Sequence, residues 1–218
     1  MTMPEPNSRM AQLRAGTRSA HARIETAPAL VRLVAEDLSR PEYIVILQHL
    51  QALHTYLEPA LAAALETLPL AAAMLDGSRP RRLAEDLAWF GAPALPPPPL
   101  PTISGPAAAL GALYVIEGSG LGGRVIGRHL NACLGVTPAT GGSFFCGLDA
   151  EAARLRWSRL TAILEGPLTD DDGSDGDADI DERIVASARE TFGFVERCFR
   201  RIEVAPETGR VLAEVAAP

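Results

Sequence analysis

Residues Leu13-Arg14-Ala15-Gly16-Thr17-Arg18-Ser19-Ala20-His21-Ala22-Arg23-Ile24-Glu25 bring an imidazole, a carboxylate and several guanidiniums together at helical spacing. His21 and Glu25 stand at i and i+4, where a carboxylate can approach the ring Nδ1–H directly or through water. That contact fixes the tautomer and leaves Nε2 available to a metal. Arg14 and Arg18 precede His21 by two turns and one turn, close to the same face, so they could reach anionic groups on a ligand held by His21. Met10, Leu13, Thr17, His21 and Ile24 recur at three- and four-residue steps, which predicts a helix from about Ser8 to Ile24 with His21 on its apolar stripe. From this segment alone, the plainer account carries more weight: a core histidine capped by a glutamate, with two solvated arginines.

A second segment, Gly111-Ala112-Leu113-Tyr114-Val115-Ile116-Glu117-Gly118-Ser119-Gly120-Leu121-Gly122-Gly123-Arg124-Val125-Ile126-Gly127, is helical in pattern but crowded with glycine. Each glycine inside a helix costs roughly 1 kcal/mol relative to alanine. Gly118, Gly120, Gly122 and Gly123 therefore carry a penalty of several kcal/mol between them, as order of magnitude. Such a helix should kink, and its backbone can come very close to something flat and bulky. Gly118 and Gly122 share one face at i and i+4. Close helix–helix packing through small residues is the plainer alternative. A phosphate-cradling glycine loop is a poor one, because no lysine follows the glycines and no strand precedes them.

The elements that must position these residues read as helices throughout. Pro28 closes the first unit, and a short helix follows through Val34. Ser39-Arg40-Pro41-Glu42 has capping-box spacing with proline near the helix start. It begins a long helix whose stripe is Tyr43, Leu47, Leu50, His54, Leu57, Leu61 and Leu65. A further helix covers Arg79 to Phe90. Pro96 to Pro99 cannot be helix or sheet, so 92–105 is predicted to be a stiff extended connector. Helices follow from Pro106 to about Leu134, from Asp149 to Leu164 and from Asp181 to about Glu203, with a glycine-rich turn over Gly135–Gly147 and an acidic loop over 167–179. Residues 1–7 are expected to be disordered. The expectation is one all-α domain over residues 1–218.

Composition agrees and excludes some functions. Of the chain, 47% is hydrophobic but only 5% aromatic, and alanine and leucine enter helices at little cost. No run of about 18 apolar residues exists to span a membrane, and the first residues carry no apolar stretch resembling a signal peptide. Three widely spaced cysteines, Cys133, Cys146 and Cys198, read as reduced thiols of a cytoplasmic protein. A net charge of −7 argues against a general nucleic-acid binder. All 20 basic residues are arginine, so any anionic ligand must be held by guanidinium, which grips carboxylates bidentately.

Other candidates are weaker. His49, His54 and His129 lie within helical patterns, and burial on the long helix accounts for His54 and Tyr43. Asp171-x-Gly173-x-Asp175-Gly176 with Glu182 faintly echoes a calcium loop, but its third position lacks an oxygen side chain, and a solvated acidic loop is the better reading.

Taken together, Leu-Arg-x-x-Thr-x-x-x-His-x-x-x-Glu at 13–25 and Tyr-Val-Ile-Glu-Gly-Ser-x-Leu-Gly-Gly at 114–123 resemble the bacterial haem oxygenase family, particularly the type that supplies biliverdin to bacterial phytochromes. Gly142 to Phe145 and Trp157 also sit where such proteins carry an aromatic cluster. The resemblance implies a single-domain helical bundle that sandwiches haem between a proximal helix and a kinked, glycine-rich distal one. It implies haem b as both substrate and cofactor, O2 and an external electron donor as co-reactants, and biliverdin, ferrous iron and carbon monoxide as products. His21 matches the proximal ligand, supported by Glu25. Gly118 and Gly122 match the distal glycines, Arg14 and Arg18 basic positions near the haem edge, and Tyr114 a tyrosine at the haem periphery, with Thr17 in the same proximal run. Ser119 falls where animal members carry an aspartate that holds the catalytic waters, a departure shared by similar bacterial members. A basic partner on the last helix is expected at Arg183 or Arg189. A bacteriophytochrome is the implied recipient; neither nucleic acid nor a membrane is an implied partner. Two other classes stay open: a haem carrier or sensor without turnover, and a thiamin-degrading or di-iron enzyme on the same scaffold, although no paired Glu-x-x-His sets appear.

Overall fold

A computed structural model describes residues 8–147, 150–168 and 177–202. Among them there are nine helices and no strand. Helix α1 spans Arg9–Glu25 and starts where Ser8 accepts the Ala11 amide. Its buried residues, Met10, Leu13, Thr17, Ala20 and Ile24, alternate steps of three and four. That stripe passes through Ala20, which leaves His21 at its edge with the ring outside the core. The expectation that His21 lies on the apolar stripe is corrected accordingly.

Short α2 (Pro28–Arg32) leads to α3 (Arg40–Ala64), and the capping box between Ser39 and Glu42 forms as the sequence predicts. Arg32 also bonds Glu42 through Nε and Nη2 at 2.7 and 2.9 Å, tying α2 to the start of α3. Helix α4 (Pro69–Ala72) is one turn that the sequence reading missed, being too short to show a period. Helix α5 (Ser78–Trp89) begins after Gly77, whose φ of 68° favours glycine. Residues 91–104 form the extended connector, where Gln48 Nε2 donates to the Pro93 carbonyl at 2.7 Å and Leu100 and Ile103 pack against the core.

Helix α6 (Gly105–Leu134) is helical from end to end through all its glycines and stops at Gly135, which has a φ of 70°. The predicted turn over 135–147 contains a further helix, α7 (Ser143–Cys146). Its exposed backbone amides have a buried partner: Asp86 accepts from Ser143 N–H and Phe144 N–H at 2.6 and 2.9 Å. Helix α8 is Ala150–Glu165 and α9 is Asp177–Arg200, four residues earlier than expected at its start. Residues 1–7 and the bulk of the acidic loop, with the calcium-like run at 171–176, lie outside the described residues.

Helix α9 is the shared neighbour of α1 and α6. Arg9 of α1 bonds Asp181, Arg189 Nε donates to the Gly16 carbonyl at 2.7 Å, and Arg23 Nε meets Glu196 at 3.2 Å. The pairings advance together, so α1 and α9 run parallel. Where α6 crosses α9, an added Cβ on Gly111 would stand 2.3 Å from the Ile184 carbonyl oxygen. Helices α3 and α5 pack together, and α8 lies against α6. Tyr43, Leu47, Leu57, Leu61, Leu113 and Ile184 are fully buried in the shared core.

Candidate functional site

On α1, His21 Nδ1 lies 3.4 Å from Glu25 Oε1, with the side chains 59% and 64% exposed. The ring meets Phe192 of α9 edge-on, with centroids 5.7 Å apart. Among the described residues no group bonds Nε2. A core histidine would be enclosed, so the plainer account of this segment does not describe the structure. The carboxylate favours the Nδ1–H tautomer, and Nε2 then carries an available lone pair.

Arg14 and Arg18 are exposed. Among the described residues neither has a carboxylate partner, so both guanidiniums are available to an anionic ligand. Thr17 is different: it is buried, and its hydroxyl donates to the Leu13 carbonyl at 2.7 Å. Arg189 is engaged with Gly16, on the α1 side of α9, while Arg183 approaches Gly105 at the start of α6.

The glycines of α6 divide into two kinds. An added Cβ on Gly111 or Gly127 would collide with backbone, at 2.3 Å from Ile184 O and 2.5 Å from Phe145 O. These glycines serve close packing. A Cβ on Gly122 would meet nothing within 4 Å, and one on Gly118 would touch only the Trp157 ring at an ordinary 3.5 Å. Among the described residues no protein atom requires these two to be glycine, and the packing alternative fails at both. Beside them, Tyr114 is buried with its ring 5.5 Å from Trp157. Ser119 donates to the Ile116 carbonyl of its own helix at 2.7 Å. The aromatic residues expected as one cluster form two: Trp157 with Tyr114, and Phe144 with Phe145 at 4.9 Å.

A groove of about 510 Å³ follows the α1–α9 seam, lined by Gln12, Ala15, Gly16, Glu182, Val185 and Arg189 among others. It lies along the same helix as His21 without including it.

Sequence reasoning missed a buried ionic cluster that joins α3, α5, α6 and α8. His54 Nδ1 is 2.8 Å from Glu58 Oε1, and Arg79 Nη1 lies 3.6 Å from the same oxygen. Arg79 also bonds Glu117, the residue before Gly118, and Arg156 bonds Glu117 at 2.8 Å and Asp76 at 3.1 Å. Burial pushes His54 below the usual histidine range, against the pull of Glu58. The available signal was the spacing His54-x-x-x-Glu58, which repeats that of His21 and Glu25. Among the described residues, no group of three or more histidine, cysteine or acidic side chains is placed to hold a metal ion, and no helix is long and apolar enough to cross a membrane.

The fold is that of the haem oxygenases. The structure is similar to the NO- and CO-bound haem oxygenase of Neisseria meningitidis, with a TM-score of 0.70 at 22% identity over 90% of this chain and 92% of that one. It is likewise similar to the haem oxygenase of Leptospira interrogans (TM-score 0.65, 19% identity, 88% and 98% covered). A third similar structure is haem oxygenase-2 of Synechocystis in complex with haem and NO (TM-score 0.66, 20% identity, 88% and 84% covered). No family model matches the sequence, and no curated protein matches it.

Proposed function

We propose that the protein is a haem oxygenase, which cleaves haem to biliverdin and releases ferrous iron and carbon monoxide. The observation that carries this reading is a pairing. One helix offers a solvent-facing imidazole with a carboxylate behind it, and another offers two glycines that no protein contact demands. A flat iron porphyrin uses both features, and the residues fit it: a nitrogen donor with a free lone pair, a face without side chains, and unpaired guanidiniums for two propionate carboxylates.

In this reading His21 Nε2 would hold the haem iron, and Glu25 would fix the orientation and tautomer of the ring. An imidazole nitrogen would give a bound iron a weaker electronic push than a thiolate would. Arg14 and Arg18 bind the propionates by charge-assisted hydrogen bonds. Gly118 and Gly122 would let the backbone approach the haem with no side chain between, leaving room for water to donate hydrogen bonds, and Tyr114 would meet the haem periphery. When bound, haem supplies the iron that activates dioxygen and the carbon skeleton that is cleaved. The protein supplies position and electrostatics. Electrons come from an external donor protein or reductant, and a bacteriophytochrome is a fitting recipient for the product.

Titration with haemin followed by reduction in air tests the reading. The expected result is a Soret band that gives way to biliverdin absorption. A Soret band that persists under reductant and oxygen would make the protein a haem carrier or sensor instead.

A further inference from the structure

Resting on that reading, we infer that α5 sets where the glycine stretch of α6 stands over the haem face, with Asp86 as the chief positioning residue. Asp86 holds α7 as a stop against Gly127, and Arg79 fixes the other end of the stretch at Glu117. Neither side chain touches substrate.

The stretch cannot place itself. Gly118, Gly120, Gly122 and Gly123 weaken the helix there, and of the described residues from 118 to 126 none is buried. Leu121 and Val125, on the turns between the glycines, are 41% and 57% exposed. Helices in proteins owe most of their stability to tertiary packing, so a span with this little against it is placed by what holds its ends. Both ends are buried: Glu117 on one side and Gly127 on the other.

Gly127 lies directly on the backbone of α7. An added Cβ there would also stand 3.4 Å from the Cys146 nitrogen, and Cys146 Sγ donates to the Gly127 carbonyl at 3.4 Å. A helix of 4 residues does not hold itself together, so α7 is a stop only while something fixes it. Asp86 does so with both carboxylate oxygens, Oδ1 accepting the Ser143 amide and Oδ2 the Phe144 amide. At 1% exposure no solvent stands ready to replace those bonds. Glu85, the preceding residue, adds only an exposed bond from the Ser143 hydroxyl at 3.2 Å.

At the other end, Glu117 is gripped by Arg79 of α5 and Arg156 of α8. Arg79 and Asp86 stand at i and i+7, about two turns apart on one face of α5. The helix itself is anchored, packing on α3 and α7 with Leu83 and Leu87 buried. One fixed element thus governs both ends of the glycine stretch, at Glu117 directly and at Gly127 through α7. The consequence falls on selectivity. Haem can be opened at any of its meso carbons, each giving a different biliverdin, and the height of the glycine backbone over the ring decides which are crowded. A misplacement of about 1 Å changes reactivity about a hundredfold.

The test uses the full chain, apo and haem-loaded. Asp86→Asn keeps the volume but offers one acceptor oxygen where two amides point, and turns an NH2 toward the second. In the apo protein, hydrogen–deuterium exchange over 118–127 and 143–146 should accelerate about tenfold or more while α1 and α9 keep their rates. With haem bound, affinity should hold, because His21, Arg14 and Arg18 are untouched. The C–O stretch of the carbon monoxide complex should broaden or split, and the ratio of biliverdin isomers should change about twofold or more. Glu85→Gln, on the neighbouring carboxylate, should alter none of these. Gly127→Ala reaches the stop from the other side and serves where Asp86→Asn does not fold. Its methyl pushes α6 off α7, so the C–O band and the isomer ratio should change while α7 exchanges as in wild type. Faster exchange at 143–146 with wild-type exchange at 118–127 would overturn the inference and leave haem cleavage intact. So would a wild-type C–O band and isomer ratio in Gly127→Ala. A wild type that binds haem without forming biliverdin would instead refute the enzymatic reading, and apo exchange with the C–O band would still decide whether Asp86 places the glycine stretch.

Discussion

The molecule carries the same four-residue spacing twice, with opposite surroundings. His21 and Glu25 on α1 face solvent at 59% and 64% exposure, 3.4 Å apart. His54 and Glu58 on α3 are 5% and 4% exposed and 2.8 Å apart. Spacing along a helix brings an imidazole to a carboxylate in both cases, but the environment decides what the pair can do. In the open pair the ring keeps a nitrogen for an outside ligand, and little stability depends on it, because exposed pairs contribute about 0–1 kcal/mol. In the closed pair both groups are committed to an ionic cluster with Arg79, Glu117 and Arg156, and removing one member strands the others in low dielectric.

The sharpest way to break this contrast is to delete each imidazole. His21→Ala should abolish the normal Soret spectrum of the haem complex and biliverdin formation, while the urea unfolding midpoint stays put. Retention of the spectrum and of turnover would remove His21 as the ligand. His54→Ala should do the reverse. It leaves a cavity and an unpaired Glu58, destabilising by about 2–5 kcal/mol, with the proximal ligand untouched. Arg79→Ala attacks the same cluster from α5. It leaves Glu117 to Arg156 alone and Glu58 to His54 alone, and should cost about 3–5 kcal/mol, roughly a 10 °C fall in Tm for a chain of this size. A Tm within 2 °C of wild type would show that the cluster is hydrated enough to be dispensable.

Glu25→Gln has a smaller expected effect and sharpens the open side. Loss of the carboxylate behind a metal-binding imidazole lowers metal affinity about 10–100-fold, so haem dissociation should accelerate with no change in unfolding. Unchanged dissociation would leave Glu25 as a solvated neighbour. Smaller again is Gly122→Ala. With nothing within 4 Å of the new methyl, the helix should gain about 0.5–1 kcal/mol, while biliverdin yield falls. Higher stability with full yield would return Gly122 to ordinary helix filler. A bulkier residue at Gly118 should likewise spare haem binding and impair cleavage.

How far the sequence revealed this depends on the kind of signal. The long helices were legible because period and caps agree, as in the Ser39–Glu42 box of α3. The one-turn helices α4 and α7 were not, since four residues carry no period and α7 is held by a distant carboxylate, Asp86. His21 was found by type and spacing but placed on the apolar stripe, because Ala20 and His21 fit a three-or-four stepping equally well and only packing against α9 chooses between them. The two kinds of glycine in α6 were indistinguishable in sequence, because Gly111 differs from Gly122 solely in what lies across from it. His54 was read as core and is core. Its electrostatic role was hidden, because Arg79, Glu117 and Arg156 are brought to it from three separate helices.

Acid titration separates the two pairs at the lowest amplitude. Burial holds His54 below its ordinary value of about 6.5, with Glu58 opposing. Between that value and its lower folded one, the unfolded chain takes up a proton that the native state refuses, so stability must fall as pH drops below about 6.5. Glu42 acts further down. Burial pushes it up, but Arg32 and the amide and hydroxyl of Ser39 outweigh burial and hold it below 4.5. The stabilisation it brings is present above that pH and is lost as pH falls through its depressed folded value. Urea midpoints measured from about pH 8 down to about pH 2 should therefore decline in two stages. His54→Gln should remove the upper stage and leave the lower, while His21→Ala should leave both. An upper stage that persists in His54→Gln and vanishes in His21→Ala would place the responsive imidazole on α1, and the contrast between the open and closed pairs would be reversed.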